Sequence, residues 1–220
     1  MGEGMKKLLK CLVIVGVVIG CLGGYVLYQT YETVVKPIDI EKVVDDIVSD
    51  EDYVEFEQIQ PVFLDAVVAI EDKRFYDHQG VELQSIFRAL LKNIEAQEIV
   101  QGGSTITQQV AKNIFLSHDQ TLLRKVSEMF LAWELESLYT KEELLSLYVN
   151  VIYYGDGHTG ILEASQGYFD VLPSELTYDQ ATLLAGLPQA PSAYALSQNY
   201  ERAKLRQEQV ISALELFQVD

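Results

Sequence analysis

Cysteine is scarce in this sequence. Two cysteines occur in 220 residues, Cys11 and Cys21, and both lie in one N-terminal apolar segment. The rest of the chain has no internal disulfide and must be held together by packing. The sequence also lacks internal repeats, low-complexity linkers and any long strand-like alternation. These absences predict a single mostly α-helical domain after the apolar segment.

Basic residues are also few, with 16 Lys and Arg against 33 Asp and Glu and a formal net charge of −17. Residues 1–30 contain three lysines and one glutamate, so the negative charge lies in the remainder. Such an acidic body argues against a nucleic-acid partner, which would favour a basic surface. A local cluster of Lys and Arg is therefore more informative here than it would be in a balanced sequence.

One long hydrophobic run is present. Residues 11–28 read CLVIVGVVIGCLGGYVLY and contain no charged side chain. As a helix this run spans roughly 27 Å, close to the thickness of a bilayer core. Lys6, Lys7 and Lys10 precede it, which predicts a cytoplasmic N-terminus and an extracytoplasmic body.

Three readings of the run are open. An uncleaved signal anchor is favoured, because the run is longer than the core of a cleaved signal peptide. VIGC at 18–21 also resembles a lipoprotein cleavage site at Cys21, but the sequence stays apolar beyond it. The predicted divisions are a basic cytoplasmic tail at 1–10, a transmembrane signal anchor at 11–28, a juxtamembrane stalk at 29–58 and a folded extracytoplasmic domain at 59–220.

Helical periodicity and capping signals predict most of the secondary structure. The predicted helical segments are 37–56, 61–72, 82–95, 121–139 and 199–217. Capping boxes at Thr140 with Glu143 and Thr177 with Gln180 mark two more helix starts. The segment VIYYGDG at 151–157 is expected to be short and extended, ending in a glycine turn.

The most informative stretch is QGGSTITQQVAKN at 101–113. Gly102 and Gly103 allow a tight turn, and Ser104 or Thr105 can cap a helix that begins there. Free N–H groups at such a helix start favour an anion.

Spacing within this stretch also places polar groups together. Ser104, Gln108 and Lys112 are four residues apart, so one helix face carries a hydroxyl, an amide and an ammonium group. This set suits a phosphate or diphosphate. An ordinary capped helix with a polar surface is the alternative.

Charged side chains recur at RKVSE, residues 124–128. Arg124 and Glu128 suit a routine surface ion pair, or with Lys125 they complete a cationic cradle around the glutamate. Glu71, at the end of an apolar helix, is a candidate general base because apolar surroundings raise the pKa of a carboxyl group. His78 and His118 have no spacing that indicates a dedicated metal site.

Four motifs in order give the chain a resemblance to a known family. EDKRFYDHQG at 71–80, GGSTITQQVAKN at 102–113, RKVSE and KEELLSLYVN at 141–150 are similar to the signature motifs of family 51 peptidoglycan glycosyltransferases. The resemblance covers roughly residues 60–215 and includes YYGDG and LLAGLPQAPSAY. This family includes the glycosyltransferase domain of bifunctional penicillin-binding proteins and also monofunctional enzymes. No serine-based penicillin-binding motif follows in this sequence, so the monofunctional kind is expected.

The resemblance implies a lysozyme-like helical fold with a head and a membrane-proximal jaw. It implies polymerisation of lipid II into β-1,4 glycan strands, with inversion and release of undecaprenyl diphosphate, in cell wall and cell shape maintenance. Glu71 matches the general base and Glu128 the second family glutamate. The matching substrate-binding residues are Asp72, Phe75, His78, Gly103, Ser104, Thr105, Gln108, Gln109, Lys112, Arg124, Lys125 and Asn150.

Partners and cofactors follow from the same resemblance. The expected partners are lipid II, the growing glycan strand, membrane lipid and penicillin-binding transpeptidases, and moenomycin is the expected inhibitor. No cofactor is required, although Mg²⁺ or Mn²⁺ at the substrate diphosphate is compatible with the family. The sequence departs from the family pattern at Gln120, where several relatives have arginine, at Ser146, where an acid is usual, and at Asp170, where glycine is typical.

Two other functions are weighed against this one. A peptidoglycan hydrolase on the same scaffold would use one carboxylic acid and water, and it would not need a diphosphate cradle. An inactive, membrane-anchored scaffold for cell wall synthases is the alternative outside catalysis, and Gln120 and Ser146 are the features that favour it.

Overall fold

The computed structural model describes residues 3–97, 102–117 and 121–219, and within them the chain is mostly helical. The elements in chain order are α1 (Glu3–Thr30), α2 (Ile40–Val48), α3 (Pro61–Glu71), α4 (Leu83–Ala96), α5 (Ile106–Phe115), α6 (Leu122–Leu138), α7 (Lys141–Val151), β1 (Tyr153–Gly155), β2 (His158–Thr159), α8 (Gly160–Phe169), α9 (Tyr178–Gly186) and α10 (Leu196–Phe217). A π-helical turn at Tyr31–Val35 follows α1 directly.

The central helix is α3. Proline at its first position suits a helix start, and its side chains from Phe63 to Ala69 are buried except Asp65. It packs against α9 and α10, while α5 packs against α6 and α7. These two groups enclose one hydrophobic core, and Glu71 at the end of α3 emerges where they meet.

The segment predicted as a stalk contributes to the same core. Val35, Ile40, Val44 and Val54 are buried among the domain's apolar residues. Only Ile40–Val48 of the expected 37–56 helix is α-helical. This segment therefore packs on the domain over much of its length.

Local signals predicted the helix ends well. Both predicted capping boxes are confirmed, with Thr140 and Thr177 as the N-caps of α7 and α9. The extended piece is confirmed as β1, which pairs antiparallel with β2 around a glycine turn. The last helix starts at Leu196, earlier than expected, but Asn199 is non-helical (φ −133°, ψ 38°), so a kink divides it.

Within the described residues, no helix combines the length and the apolarity that a membrane crossing needs.

Candidate functional site

A cleft with a cavity volume of about 740 Å³ opens beside the end of α3. Glu71 lies in its wall with only 13% of its side chain exposed. Burial raises the pKa of the Glu71 carboxyl group above its usual value. The opposing contributions are the Gln109 hydrogen bond and the positive charges of Arg206 and Lys112. A carboxylate in this environment is suited to accept a proton near neutral pH.

Side chains from two other helices hold the Glu71 carboxylate. Gln109 on α5 donates its Nε2 hydrogen to Oε2 over 2.8 Å, and Tyr148 on α7 donates to Oε1 of Gln109 over 3.4 Å. Arg206 on α10 places a guanidinium nitrogen 3.8 Å from Oε1 of Glu71. The carboxylate is therefore oriented from both sides.

The opposite wall of the cleft comes from α6. Glu128 is 3% exposed by side chain and forms ion pairs with Arg124 and with Lys125, the latter at 2.7 Å. Lys125 also donates to the Ser104 hydroxyl over 2.7 Å. Burial and the charges of Arg124 and Lys112 lower the pKa of Lys125 to about 8. The Arg124–Glu128 pair is therefore part of an enclosed cluster and is not a solvated surface pair.

Positive charge is concentrated in this cleft. Its cationic lining residues are Lys92, Lys112, Arg124, Lys125 and Arg206, and its acidic ones are Glu71 and Glu128. Burial and the nearby positive charge of Arg124 lower the pKa of Lys112. The negative charge of Glu71 opposes this shift. In a chain of net charge −17 this is a local excess of cations, which suits an anionic ligand.

A second cavity of about 880 Å³ adjoins the cationic cleft. Both are lined by Ile70, Glu71, Gly102 and Ser104, so Glu71 stands at their junction. The second cavity has mixed charge, with Lys73, Arg74 and Arg88 beside Asp72, Asp77 and Glu82. A proton acceptor at this position can serve two substrates that lie on either side of it.

The start of α5 is occupied by the protein's own acceptors. The Asp72 carboxylate accepts from the Ile106 N–H over 3.1 Å, and the Thr105 hydroxyl accepts from the Gln108 N–H. His78 Nε2 lies 3.0 and 2.9 Å from the two Asp72 oxygens. Two of the N–H groups expected to meet a substrate anion are thus already bonded. Asp72, His78 and Thr105 act as a support for α5.

The other residues inferred from the resemblance fall into two groups. Ser104, Gln108, Gln109, Lys112, Arg124 and Lys125 line the cationic cleft, and Gly103 lines the second cavity. A Cβ on Gly103 would stand 3.0 Å from the Ile86 backbone, so glycine permits this close approach to α4. Phe75 is fully buried below the site, whereas Tyr76 is 49% exposed.

Asn150 lies outside both cavities. Its side chain accepts from the Val54 N–H and donates to the Val54 carbonyl, each over 2.9 Å. Ser146, on the same helix, donates to the same carbonyl and accepts from Tyr53. The structure assigns both residues a part in fixing the 53–54 segment to α7. Gln120 and His118 lie outside the described residues.

Two of the cations that line the cleft, Lys92 on α4 and Arg206 on α10, were not identified by sequence reasoning. Arg206 lies on the last helix, after all of the motifs, and no acidic residue stands three or four positions from it within α10. One signal was available, because Ala203, Arg206 and Val210 follow the buried period of that helix. An arginine on a buried face needs a partner, and Glu71 is that partner.

The fold and the site together define a class: a helical domain with a shielded carboxylate beside a cationic cleft that suits an anionic ligand. Comparison with known proteins identifies the family of this chain. The transglycosylase family model matches residues 40–215, and the chain belongs to that family.

Individual proteins are also similar to this chain in sequence. Penicillin-binding protein 1A of Neisseria flavescens is 44% identical over 161 residues, covering 73% of this chain and 20% of that protein. Penicillin-binding protein 1F of Bacillus subtilis (strain 168) is 44% identical over 150 residues, covering 68% of this chain and 21% of the relative. Penicillin-binding protein 1A of Neisseria cinerea is 48% identical over 151 residues, covering 69% and 19%. The chain thus spans about a fifth of the length of these relatives.

Proposed function

We propose that this protein is a peptidoglycan glycosyltransferase that polymerises lipid II into β-1,4 glycan strands for the cell wall. The observation that carries the proposal is the position of Glu71, a shielded carboxylate at the junction of two cavities, one of them lined by five cations. A base between an acceptor sugar and a diphosphate-linked donor needs this arrangement. Membership of the transglycosylase family supports the same reaction.

In the proposed mechanism Glu71 removes the proton from the 4-hydroxyl of the acceptor N-acetylglucosamine. That oxygen attacks C1 of the donor N-acetylmuramic acid, the configuration inverts from α to β, and undecaprenyl diphosphate leaves with the bonding electrons. Lys112, Arg124 and Lys125 line the cationic cleft and would contact the diphosphate. Contacts that strengthen as charge moves onto the leaving group lower the barrier.

Glu128 has a different role in this proposal. Because it is buried in ion pairs with Arg124 and Lys125, it orders the two cations that face the diphosphate. The described residues contain no group of three or more His, Cys, Asp or Glu side chains that could hold a metal ion. A Mg²⁺ or Mn²⁺ ion bound together with the substrate would help to neutralise the charge of the leaving group.

Membrane attachment is part of the proposal. Residues 11–28 would anchor the chain with its N-terminus inside and the domain outside, because the run is uncharged and three lysines precede it. The face of α4 supports a second lipid contact, since Leu83, Phe87 and Ile94 are more than 60% exposed. This helix would form the apolar jaw of a lysozyme-like fold whose head holds Glu71.

The first test is polymerisation of fluorescent lipid II by the detergent-purified chain. Wild type should produce glycan chains, and Glu71→Gln should lose at least about 100-fold in rate because the amide cannot accept the proton. Glu57→Gln, the same change at an exposed site, is the matched control and should retain wild-type activity. Parallel reactions with Mg²⁺, Mn²⁺ and a chelator measure cation dependence, and moenomycin should inhibit.

Other products would support another function. Free disaccharide fragments from preformed glycan would indicate a hydrolase. No turnover by a folded wild type with cations supplied would contradict the proposal and favour the scaffold, with penicillin-binding transpeptidases as the partners to be tested.

A further inference from the structure

Arg206 is held beside Glu71 by close contacts with neighbouring residues. Its side chain is 8% exposed, and its stem passes over Gly186 so closely that a Cβ there would stand 2.9 Å from the arginine Cγ. One terminal nitrogen donates to Gln209 over 2.8 Å, and the other lies 3.8 Å from Glu71 Oε1. The arginine is thus aimed at the carboxylate by contacts from two elements.

The guanidinium is not fully satisfied by these contacts. Its Nε is buried and finds no hydrogen-bond partner among the described residues. A purely structural arginine of this burial would be expected to use its donors internally. Arg206 also lines the cationic cleft, so its positive charge acts on the space in which a substrate would lie as well as on Glu71.

The charge balance around Glu71 depends on few groups. Arg206 from α10 and Lys112 from α5 favour its ionised form, and the neighbouring Asp72 disfavours it. Tyr148 from α7 faces the carboxylate as a neutral phenol, because burial raises its pKa well above the usual value. Arg206 and Lys112 are therefore the cations that oppose the effect of burial on Glu71.

We propose that Arg206 is a positioning residue for the general base: it fixes one carboxylate oxygen of Glu71, opposite Gln109, and keeps Glu71 ionised so that it can accept a proton. Arg206 would act on the reaction through Glu71. The inference rests on the proposed function, since it assigns Glu71 the role of base.

The consequence is a defined change in pH dependence. A base works only when deprotonated, so activity falls as the pH drops through the pKa of Glu71. An opposite charge within about 4–6 Å lowers a carboxyl pKa by roughly 1–3 units. Removal of Arg206 should therefore raise that pKa and move the acidic limb of the activity profile to higher pH by at least about 1 unit, a roughly tenfold loss on that limb.

The experiment measures lipid II polymerisation against pH for wild type, Arg206→Gln and Arg206→Lys. We expect Arg206→Gln to shift the acidic limb upward and to lower kcat more than it raises KM, and Arg206→Lys to restore part of the shift. Arg202→Gln makes the same change at an exposed position one turn earlier on α10 and should leave the limb in place. Circular dichroism and thermal melting check that each variant is folded.

If Arg206→Gln does not fold, Gly186→Ala gives the same measurement, because the added methyl group displaces the arginine stem. An unmoved acidic limb in a folded variant, or a change in KM alone, overturns the inference while wild-type polymerisation keeps the proposed function. An inactive wild type contradicts the proposed function itself.

Discussion

Aspartate occupies two left-handed backbone positions, Asp156 at φ 51° and Asp170 at φ 57°. Asp170 is the C-cap of α8 and is exposed. Asp156 lies in the turn between β1 and β2, where its carboxylate accepts from the Ser197 N–H and hydroxyl and from the Tyr168 hydroxyl. The Asp156 side chain thus stabilises its left-handed backbone conformation through hydrogen bonds, whereas the exposed Asp170 side chain does not.

The two positions should respond to glycine in opposite directions. Asp170→Gly should stabilise the fold by about 1 kcal/mol, because glycine adopts this conformation without steric cost. The melting temperature should rise by about 2–4 °C.

Asp156→Gly is the matched comparison. It also relieves the backbone, but it removes three hydrogen bonds that tie the hairpin to α8 and α10, so we expect a net loss of about 1–3 kcal/mol. Thermal melting of both variants in one detergent checks the pair. Equal shifts of the same sign would contradict the explanation.

Among the elements, α5 is the one on which the cleft most depends. It carries Gln109 and Lys112, and it begins at a buried N-cap, Thr105. Besides capping the helix, Thr105 donates its hydroxyl to the Gly80 carbonyl over 2.5 Å. This single side chain therefore joins the start of α5 to the loop that follows Glu71.

Thr105→Ala should destabilise the protein by about 2 kcal/mol, at the upper end of N-cap effects, because it also leaves a buried carbonyl without a donor. Thr177→Ala removes the same kind of capping box at an exposed helix start and should cost about 1 kcal/mol or less. Chemical denaturation of both variants gives the comparison, with Thr105→Ser expected to recover most of the loss. A smaller effect at Thr105 than at Thr177 would disagree with the structure.

At the scale of the whole molecule, α1 and the π-helical turn after it contact the domain through α6. Tyr31, just after α1, donates to Glu134 over 2.9 Å and packs edge-on against Phe130 at 5.5 Å. Phe130 in turn packs against Trp133, which is 45% exposed and is the single tryptophan of the chain. Because these contacts lie on α6, the helix of Glu128, the proposed anchor and the cleft are joined through one rigid element.

This arrangement predicts that Trp133 lies near the bilayer surface when the protein is reconstituted, as interfacial aromatic residues do. Its fluorescence should be quenched by lipids brominated close to the headgroup and less by lipids brominated deep in the chain. Trp133→Phe gives the background signal. Tyr31→Phe, which removes the Glu134 hydrogen bond, should weaken the quenching if that bond fixes the orientation. No quenching in a reconstituted sample would contradict the proposed orientation.

Most helices of this protein were predictable because their signals are local. Capping boxes join residues three apart, and apolar periodicity reflects one helix at a time. Both ends of α3 and α6, and the starts of α7 and α9, therefore follow from the sequence within one or two residues. The face of α4 was not predictable in the same way. Its apolar period is genuine, but Leu83, Phe87 and Ile94 point outward, and nothing in the periodicity distinguishes a face that meets a core from one that does not.

The sequence by itself determined the family motifs, the two glutamates and the local excess of cations in an acidic chain, because these depend on residue type and short spacing. Only the tertiary structure decided which partner each group meets. Asp72 binds the start of α5 in place of a ligand, Asn150 fixes Val54, and Arg206 reaches Glu71 from the last helix. Such contacts join residues far apart in the chain, and the packing of α3 against α10 and of α5 against α7 selects them from many chemically equivalent pairs.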